Sequence, residues 1–395
     1  MLLDKNPRLK NLLHGQKVLL TGSGGGIGFE AAQAFAYMGA LVILAEIDER
    51  KGVNAENAIN KAYGPAAAKF FPVDLADEQA VLRLCDSIQD QYGCPDVIFN
   101  NATITPMGAI ENVSMQDWDK SYRVNFKAPL LLTQRFLPLM KQRSRGTLVF
   151  VSSSGASPYM GAYEVFKTSQ VELSNTLAME LENTDIHSYT IGPGLVKTET
   201  AMNAIQIVAQ NMGMGTDEFY AMNRSHILDA ESAGAGFALS ILKAADYHGQ
   251  EIGSIQVLMD FDLAEPEFSE PEQSSRAISD SRKETLKKIC STFEEQYTGW
   301  CAMNIFERQW VFRDLKKNLG FSAEQALEKL KALYTQSQRG NTPLPTPDRA
   351  FFEKLKGYWE HQLKLLQGYQ KNKQKLEEQS RIISGWIADI EEFLA

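Results

Sequence analysis

Tyr163 and Lys167, in the run Tyr163-Glu-Val-Phe-Lys167, are the pair of side chains best placed by type and spacing to do chemistry. Four positions apart on a helix, they share one face and approach closely. A free phenol ionises at about 10 and is a poor base at neutral pH, but a nearby ammonium favours the phenolate and lowers that value. Such a pair can act as general acid/base on an alcohol or a carbonyl. Alone, the pattern also describes an ordinary helix surface. Its order among other residues makes it specific. Thr21-Gly22-Ser23-Gly24-Gly25-Gly26-Ile27-Gly28 stands upstream, then Asn100-Asn101-Ala102, Asn125 and Ser152-Ser153-Ser154, and Pro193-Gly194 follows.

These residues need a scaffold. From Lys17 to about Ala264, short aliphatic runs alternate with helical segments. Val18–Thr21, Leu41–Ala45, Val97–Asn100, Leu148–Val151 and Ser188–Ile191 read as strands buried on both faces of a parallel sheet, with Ile255–Met259 as a last one. Alternating strands and helices imply right-handed βαβ units, hence an α/β, Rossmann-type doubly wound sheet. The glycine loop follows a strand and opens a helix. There glycines let backbone N–H groups approach a pyrophosphate, and the helix N-terminus favours its charge. Tight packing alone also uses such a turn. Eighteen residues past Gly28, Glu46 ends the second strand, where a carboxylate can bind the ribose hydroxyls of NAD and repel a 2′-phosphate. Arg50 and Lys51 are the nearby cations that would suit NADP, and capping of the next helix is the plain alternative for Glu46. NAD is favoured over NADP.

Residues 15–262 or so closely resemble the short-chain dehydrogenase/reductase family, of the classical type, on Thr21-Gly22-x-x-x-Gly26-Ile27-Gly28, Asn100-Asn101-Ala102, Asn125, Ser153, Tyr163 and Lys167. The resemblance implies an NAD(H)-dependent oxidoreductase interconverting a secondary alcohol and a ketone. It implies Gly22, Ser23, Gly26, Ile27 and Gly28 at the cofactor, Asp74 and Leu75 at its adenine, and Asn101 and Ala102 beside its nicotinamide. Asn125 would anchor a water, Ser153 would orient the substrate oxygen, and Tyr163 would be the acid/base. Lys167 would hold the nicotinamide ribose and lower the Tyr163 pKa, while Pro193, Gly194, Val196 and Thr198 close over the carboxamide. Three departures stand out. Thr103 replaces the last glycine of Asn-Asn-Ala-Gly, which alters the turn or the pocket floor. Ser153 precedes Tyr163 by ten residues, a shorter interval than is usual, leaving Ser152 and Ser154 as alternatives. Met259-Asp-Phe-Asp262 stands where the family ends its final strand in Asp-Gly-Gly.

The Glu199–Ser225 segment carries Met202, Met212, Met214 and Met222 with Ile205, Ile207 and Val208, where the family has a mobile lid. An adaptable apolar surface suits a fairly apolar substrate, and helix packing explains it about as well. Two rivals remain: a nucleotide-binding scaffold or regulatory protein working through a helical C-terminal domain, and an extended-type epimerase or dehydratase. The second is opposed by the glycine spacing.

At 395 residues the chain exceeds one usual core. The expected organisation is a catalytic domain at 1–263, an acidic Pro- and Ser-rich linker at 264–283, and a helical domain at 284–395. Leu286, Ile289, Phe293 and Tyr297 recur at helical spacing, as do Leu327, Leu330 and Tyr334, then Phe352, Leu355, Trp359, Leu363 and Leu366, then Ile382, Ile383, Trp386, Ile387, Ile390, Phe393 and Leu394. No family resemblance extends there. Net charge −9 with pI ≈ 5.3 argues against nucleic acid or an anionic membrane as principal partner. The four cysteines form no C-x-x-C pattern and the five histidines no metal-ligand spacing, so no metal is expected. The first residues mix both charges unlike a secretory leader, and a cytoplasmic location follows as the expectation. A homodimer or homotetramer is expected by resemblance.

Overall fold

The aliphatic runs become strands because helices cover them on both faces. The computed structural model describes residues 2–153, 158–223, 227–264, 280–301, 311, 315, 323–338, 346–367 and 373–394. These fall into two compact units, Met1–Glu267 and Phe268–Ala395. In the first, strands β1 (Lys17–Thr21), β2 (Leu41–Glu46), β3 (Ala68–Pro72), β4 (Val97–Asn100), β5 (Gly146–Val151) and β6 (Ile186–Gly192) precede a separate short pair, β7 (Leu195–Val196) and β8 (Ile227–Leu228). The last strand is β9 (Glu251–Gly253). Helices α1 (Gly26–Tyr37), α2 (Glu49–Tyr63), α3 (Glu78–Tyr92), α4 (Met115–Tyr122), α5 (Ala128–Gln142) and α6 (Gly161–Glu180) alternate with the strands. They are followed by α7 (Glu199–Asn211), α8 (Thr216–Met222), α9 (Ala230–Ser240) and α10 (Ser254–Asp260).

The seven-stranded sheet runs in the order β3-β2-β1-β4-β5-β6-β9, and its pairs are parallel. Strand order reverses between β1 and β4, so the loops leaving their carboxyl ends diverge and open a crevice. Successive side chains of β1 serve opposite cores. Val18 and Leu20 pack with Phe35, Phe99 and Phe237 on one face, and Leu19 joins Ile98, Phe136 and Leu148 on the other. The Phe35 and Phe99 rings meet edge-on at 5.8 Å.

Two elements differ from the sequence expectation. Ile255–Met259 is not a strand: β9 is formed by the preceding Glu251–Gly253, and the apolar run lies in α10, which buries Val257 and Leu258. A run this short fits either period, and the Gly253–Ser254 junction starts a helix. β3 was absent from the expected strands. It is an edge strand that buries Ala68 and Phe70 but exposes Lys69 and Pro72, so it carries no continuous apolar run.

The second unit is helical throughout its described residues, with helices Asp280–Cys301, Ala323–Gln338, Thr346–Gln367 and Lys373–Leu394. Its core unites the expected stripes: Leu286, Ile289 and Phe293 with Leu327, Leu330, Phe352, Leu355, Trp359 and Phe393. Trp359 stacks on Trp300 at 6.3 Å and meets Trp386 edge-on at 4.5 Å. Ile382, expected in the fourth stripe, is instead exposed. The Leu366 side chain and the linker over 265–279 lie outside the described residues.

Candidate active site

The glycine loop is locked to the end of β4 by Thr21 and Asn101. Thr21 Oγ1 accepts the backbone N–H groups of Asn101 and Ala102 at 3.1 and 3.0 Å. Asn101 Nδ2 donates to the carbonyls of Thr21 and Gly22, both at 3.0 Å. This close approach is what demands glycine. A Cβ on Gly28 would lie 2.0 Å from the Gly22 carbonyl oxygen, and Gly22 itself sits at φ +66° with Ala102 2.7 Å from where its Cβ would be. The N-terminus of α1 thus points unpaired backbone N–H groups into the crevice, as anion binding requires.

Glu46 is drawn onto this loop rather than onto the following helix. Its Oε2 accepts Gly24 N–H at 2.9 Å and its Oε1 accepts Ile47 and Asp48 N–H at 2.9 and 3.1 Å. The cap of α2 is Asp48, whose side chain accepts Lys51 N–H. A carboxylate has capacity beyond these bonds, so Glu46 can still accept ribose hydroxyls. Lys51, not Arg50, belongs to the crevice wall, and its Nζ lies 3.7 Å from Glu199.

Ser153, Tyr163 and Lys167 come together where β5 ends and α6 begins. Tyr163 keeps part of its surface open to the crevice and hydrogen-bonds Ser153. Ser153 Oγ donates to Glu164 Oε2 at 2.7 Å. Burial pushes the Tyr163 phenol up to about 12, with the Ser153 hydrogen bond opposing and the Glu164 charge adding to the rise. The shift is opposite to that expected from Lys167. That lysine is itself buried, drawn down to about 7 by desolvation against the pull of Glu164, and its Nζ has no hydrogen-bond partner among the described residues. Of the three serines, Ser152 is buried with its Oγ unpartnered among the described residues, and Ser154 lies outside them; Ser153 is the one joined to Tyr163.

Asn125 sits in a π turn, Arg123–Lys127, the kind of insertion often found at functional sites. Its side chain is fully buried and faces the turn after β4. Oδ1 accepts from Thr103 Oγ1 and Ile104 N, both at 3.0 Å, and Nδ2 donates to the Ile104 carbonyl and to Ser121 Oγ, both at 2.9 Å. Thr103, the residue replacing the expected glycine, is thereby tied to Asn125. The Asn125 backbone carbonyl accepts from Gln170 Nε2.

A crevice of ≈ 1480 Å³ joins these parts. Gly22, Gly26, Ile27, Gly28, Glu46, Asp74, Leu75, Asn101 and Ala102 line one part of it. Ser153, Tyr163, Lys167, Pro193, Gly194, Val196 and Thr198 line the rest. Two expected residues stand back from the wall: Ser23, which is buried, and Asn125. From the α7–α8 segment Ile205, Val208, Met212 and Phe219 reach the crevice, whereas Met202 and Ile207 are exposed; Met222 and the stretch 224–226 are not described at side-chain level. Sequence reading missed Met107, Met160 and Lys120 on the wall. They stand on irregular segments or a short helix, where no periodicity marks an inward face.

The residues present fit a dinucleotide. The glycine-rich helix start, the carboxylate at the end of β2 and the buried Lys167 Nζ, partnerless among the described residues, are groups of the kinds that pyrophosphate, ribose hydroxyls and a second ribose would each need. Among the described residues no group of three or more His, Cys, Asp or Glu could hold a metal, and no helix is long and apolar enough to cross a membrane.

Comparison with known proteins agrees with this geometry. Residues 16–208 match the family described as short chain dehydrogenase. An uncharacterized oxidoreductase of Thermotoga maritima is 35% identical over 195 residues, 49% of this chain and 76% of that protein. Human dehydrogenase/reductase SDR family member 4 is 35% identical over 187 residues, 46% and 66% of the two chains. The solved L-sorbose reductase of Gluconobacter frateurii, complexed with NADPH and L-sorbose, shares the fold with a TM-score of 0.54 at 21% identity, covering 61% of this chain and 95% of that one. On this combination of fold, crevice and relatives, the chain belongs to the short-chain dehydrogenase/reductase family and is an NAD(P)-dependent oxidoreductase.

Proposed function

We propose that the protein interconverts a secondary alcohol and a ketone, with NAD(H) preferred over NADP(H) and Tyr163 as the acid/base. The observation that carries the reading is the meeting of Tyr163, Ser153 and Lys167 in the crevice that the glycine loop opens. A bound nicotinamide cofactor supplies or accepts the hydride. The chain's own residues do the rest. Tyr163 gives its phenolic proton to a carbonyl oxygen, or takes one from an alcohol. Ser153 holds the Tyr163 hydroxyl in place, and Lys167 directs an ammonium at the crevice, where a ribose hydroxyl would satisfy it. Asn125 fixes the turn at Thr103 and Ile104, and so the floor beneath the reacting atoms. Ile104, Met107, Met160, Ile205, Val208 and Phe219 make the substrate end largely apolar, which supports an apolar alcohol or ketone and keeps water out.

The preference for NAD rests on Glu46, whose carboxylate occupies the loop where a 2′-phosphate would need a cation. Tyr163→Phe is expected to lower turnover by at least about a thousandfold while sparing NADH binding, since it removes the transferable proton but not the ring. A panel of alcohols and ketones, with NADH and NADPH titrated by fluorescence, checks both points. Near-normal turnover by Tyr163→Phe, or tighter binding of NADPH than of NADH, would refute the corresponding part. Tight NADH binding by the parent without turnover on any substrate would favour the scaffold reading.

A further inference from the structure

Glu164 is a carboxylate that the acid/base chemistry above does not use. It directly follows Tyr163 and lies three positions before Lys167, which makes it a neighbour of the lysine on α6. It is 7% exposed and does not belong to the crevice wall, to which Ser153, Tyr163 and Lys167 contribute. Its Oε2 accepts the Ser153 hydroxyl hydrogen at 2.7 Å. Ser153 thus joins Glu164 to Tyr163, and the carboxylate fixes which way the serine hydroxyl faces.

The second observation is electrostatic. Lys167 is buried with no hydrogen bond among the described residues, an arrangement that disfavours the ammonium unless an opposite charge is near. Glu46, Asp48, Lys51, Asp74, Lys120, Lys197 and Glu199 are the charged side chains of the crevice wall, and none of them has a resolved effect on Lys167. Glu164, on the lysine's own helix, does. We infer that Glu164 is a positioning residue of the site, the buried counter-charge that keeps the Lys167 ammonium charged and, through its bond to Ser153, orients the serine toward Tyr163. The inference rests on reading Tyr163 and Lys167 as the acid/base pair. That reading stands or falls with turnover by Tyr163→Phe, whereas binding and unfolding decide this one, so the two fail separately.

Glu164→Gln keeps the size and a hydrogen-bond acceptor and removes the charge. NADH dissociation constants of parent and variant are compared by fluorescence between pH 5.5 and 8. Titration of groups common to both proteins divides out of the ratio. Without the carboxylate the ammonium is lost at lower pH, so the ratio is expected near one at the acid end and about fivefold in the parent's favour at the alkaline end. A ratio constant across the range overturns the inference, because a packing defect weakens binding at every pH alike. Glu164→Asp should restore the parent profile.

A cofactor-free measurement is a double-mutant cycle of urea unfolding at pH 6. Glu164→Gln is expected to lower the midpoint of the parent but not of Lys167→Met, where there is no ammonium to balance. Additive losses overturn the pairing. Should Glu164→Gln alone fail to fold, a folded double variant supports the pairing and an unfolded one overturns it.

Discussion

Lys167 holds the strongest conflict between position and charge in the crevice. Its value is drawn from the usual 10.5 to about 7 by burial. Between those two values the unfolded chain carries a proton on this lysine that the native protein lacks, so folding stability rises with pH across that window and is lost as pH falls through about 7. Lys167→Met should therefore show a flatter rise than the parent from pH 7 to 9, and greater relative stability at pH 6. Urea midpoints at three pH values check the sign. The Tyr163–Lys167 pair was legible in the sequence because helical spacing alone places it. The direction of the Tyr163 shift was not, because desolvation depends on everything packed around the ring. Glu164 was invisible for a similar reason: nothing about a glutamate inside Tyr-x-x-x-Lys says that a serine just past the end of β5 will bond to it.

At the level of elements, the turn between β1 and α1 works by contact so close that one methyl group is too many. Gly28→Ala would put a Cβ 2.0 Å from the Gly22 carbonyl, against backbone that Asn101 already holds. The loop must open, and NADH affinity should fall at least about tenfold, or 1.4 kcal/mol, in a fluorescence titration. Unchanged affinity would show that the loop yields elsewhere. The glycine pattern announced this turn, since few other contexts need that spacing after a strand. The expected strand at Ile255–Met259 failed, and β3 went unseen, for one shared reason. Short segments are assigned by what packs on them, and an edge strand or a one-sided helix leaves little trace in a five-residue run. For the serine, packing supports Ser153: the shortened interval to Tyr163 still lets it reach the phenol.

For the whole molecule, each of the two units has a hydrophobic core of its own. Unfolding by denaturant is thus expected in two steps. Trp359→Ala removes a side chain that stacks on Trp300 and meets Trp386 edge-on, and should cost the helical unit about 3–5 kcal/mol, moving its transition and leaving NADH affinity as it was. Circular dichroism and NADH fluorescence followed in the same titration separate the two. The helical stripes made this second core legible in advance, because amphipathic periodicity survives whatever the helices pack against.

The strand order sets how far apart in synthesis paired strands emerge. β1 pairs with β2 on one side and with β4 on the other, Val18 opposite Val97, so its second neighbour leaves the ribosome some eighty residues after it. Tyr163, Lys167 and Thr198 come later still. Distant pairings of this kind are slow to form, because the chain between them must be ordered before the contact rewards it. A nascent chain that has emerged as far as the glycine loop and Glu46 therefore presents one end of the crevice but neither Tyr163 nor Lys167. Cofactor in the cell can capture the finished domain and hold it folded, but it arrives too late to template its first half.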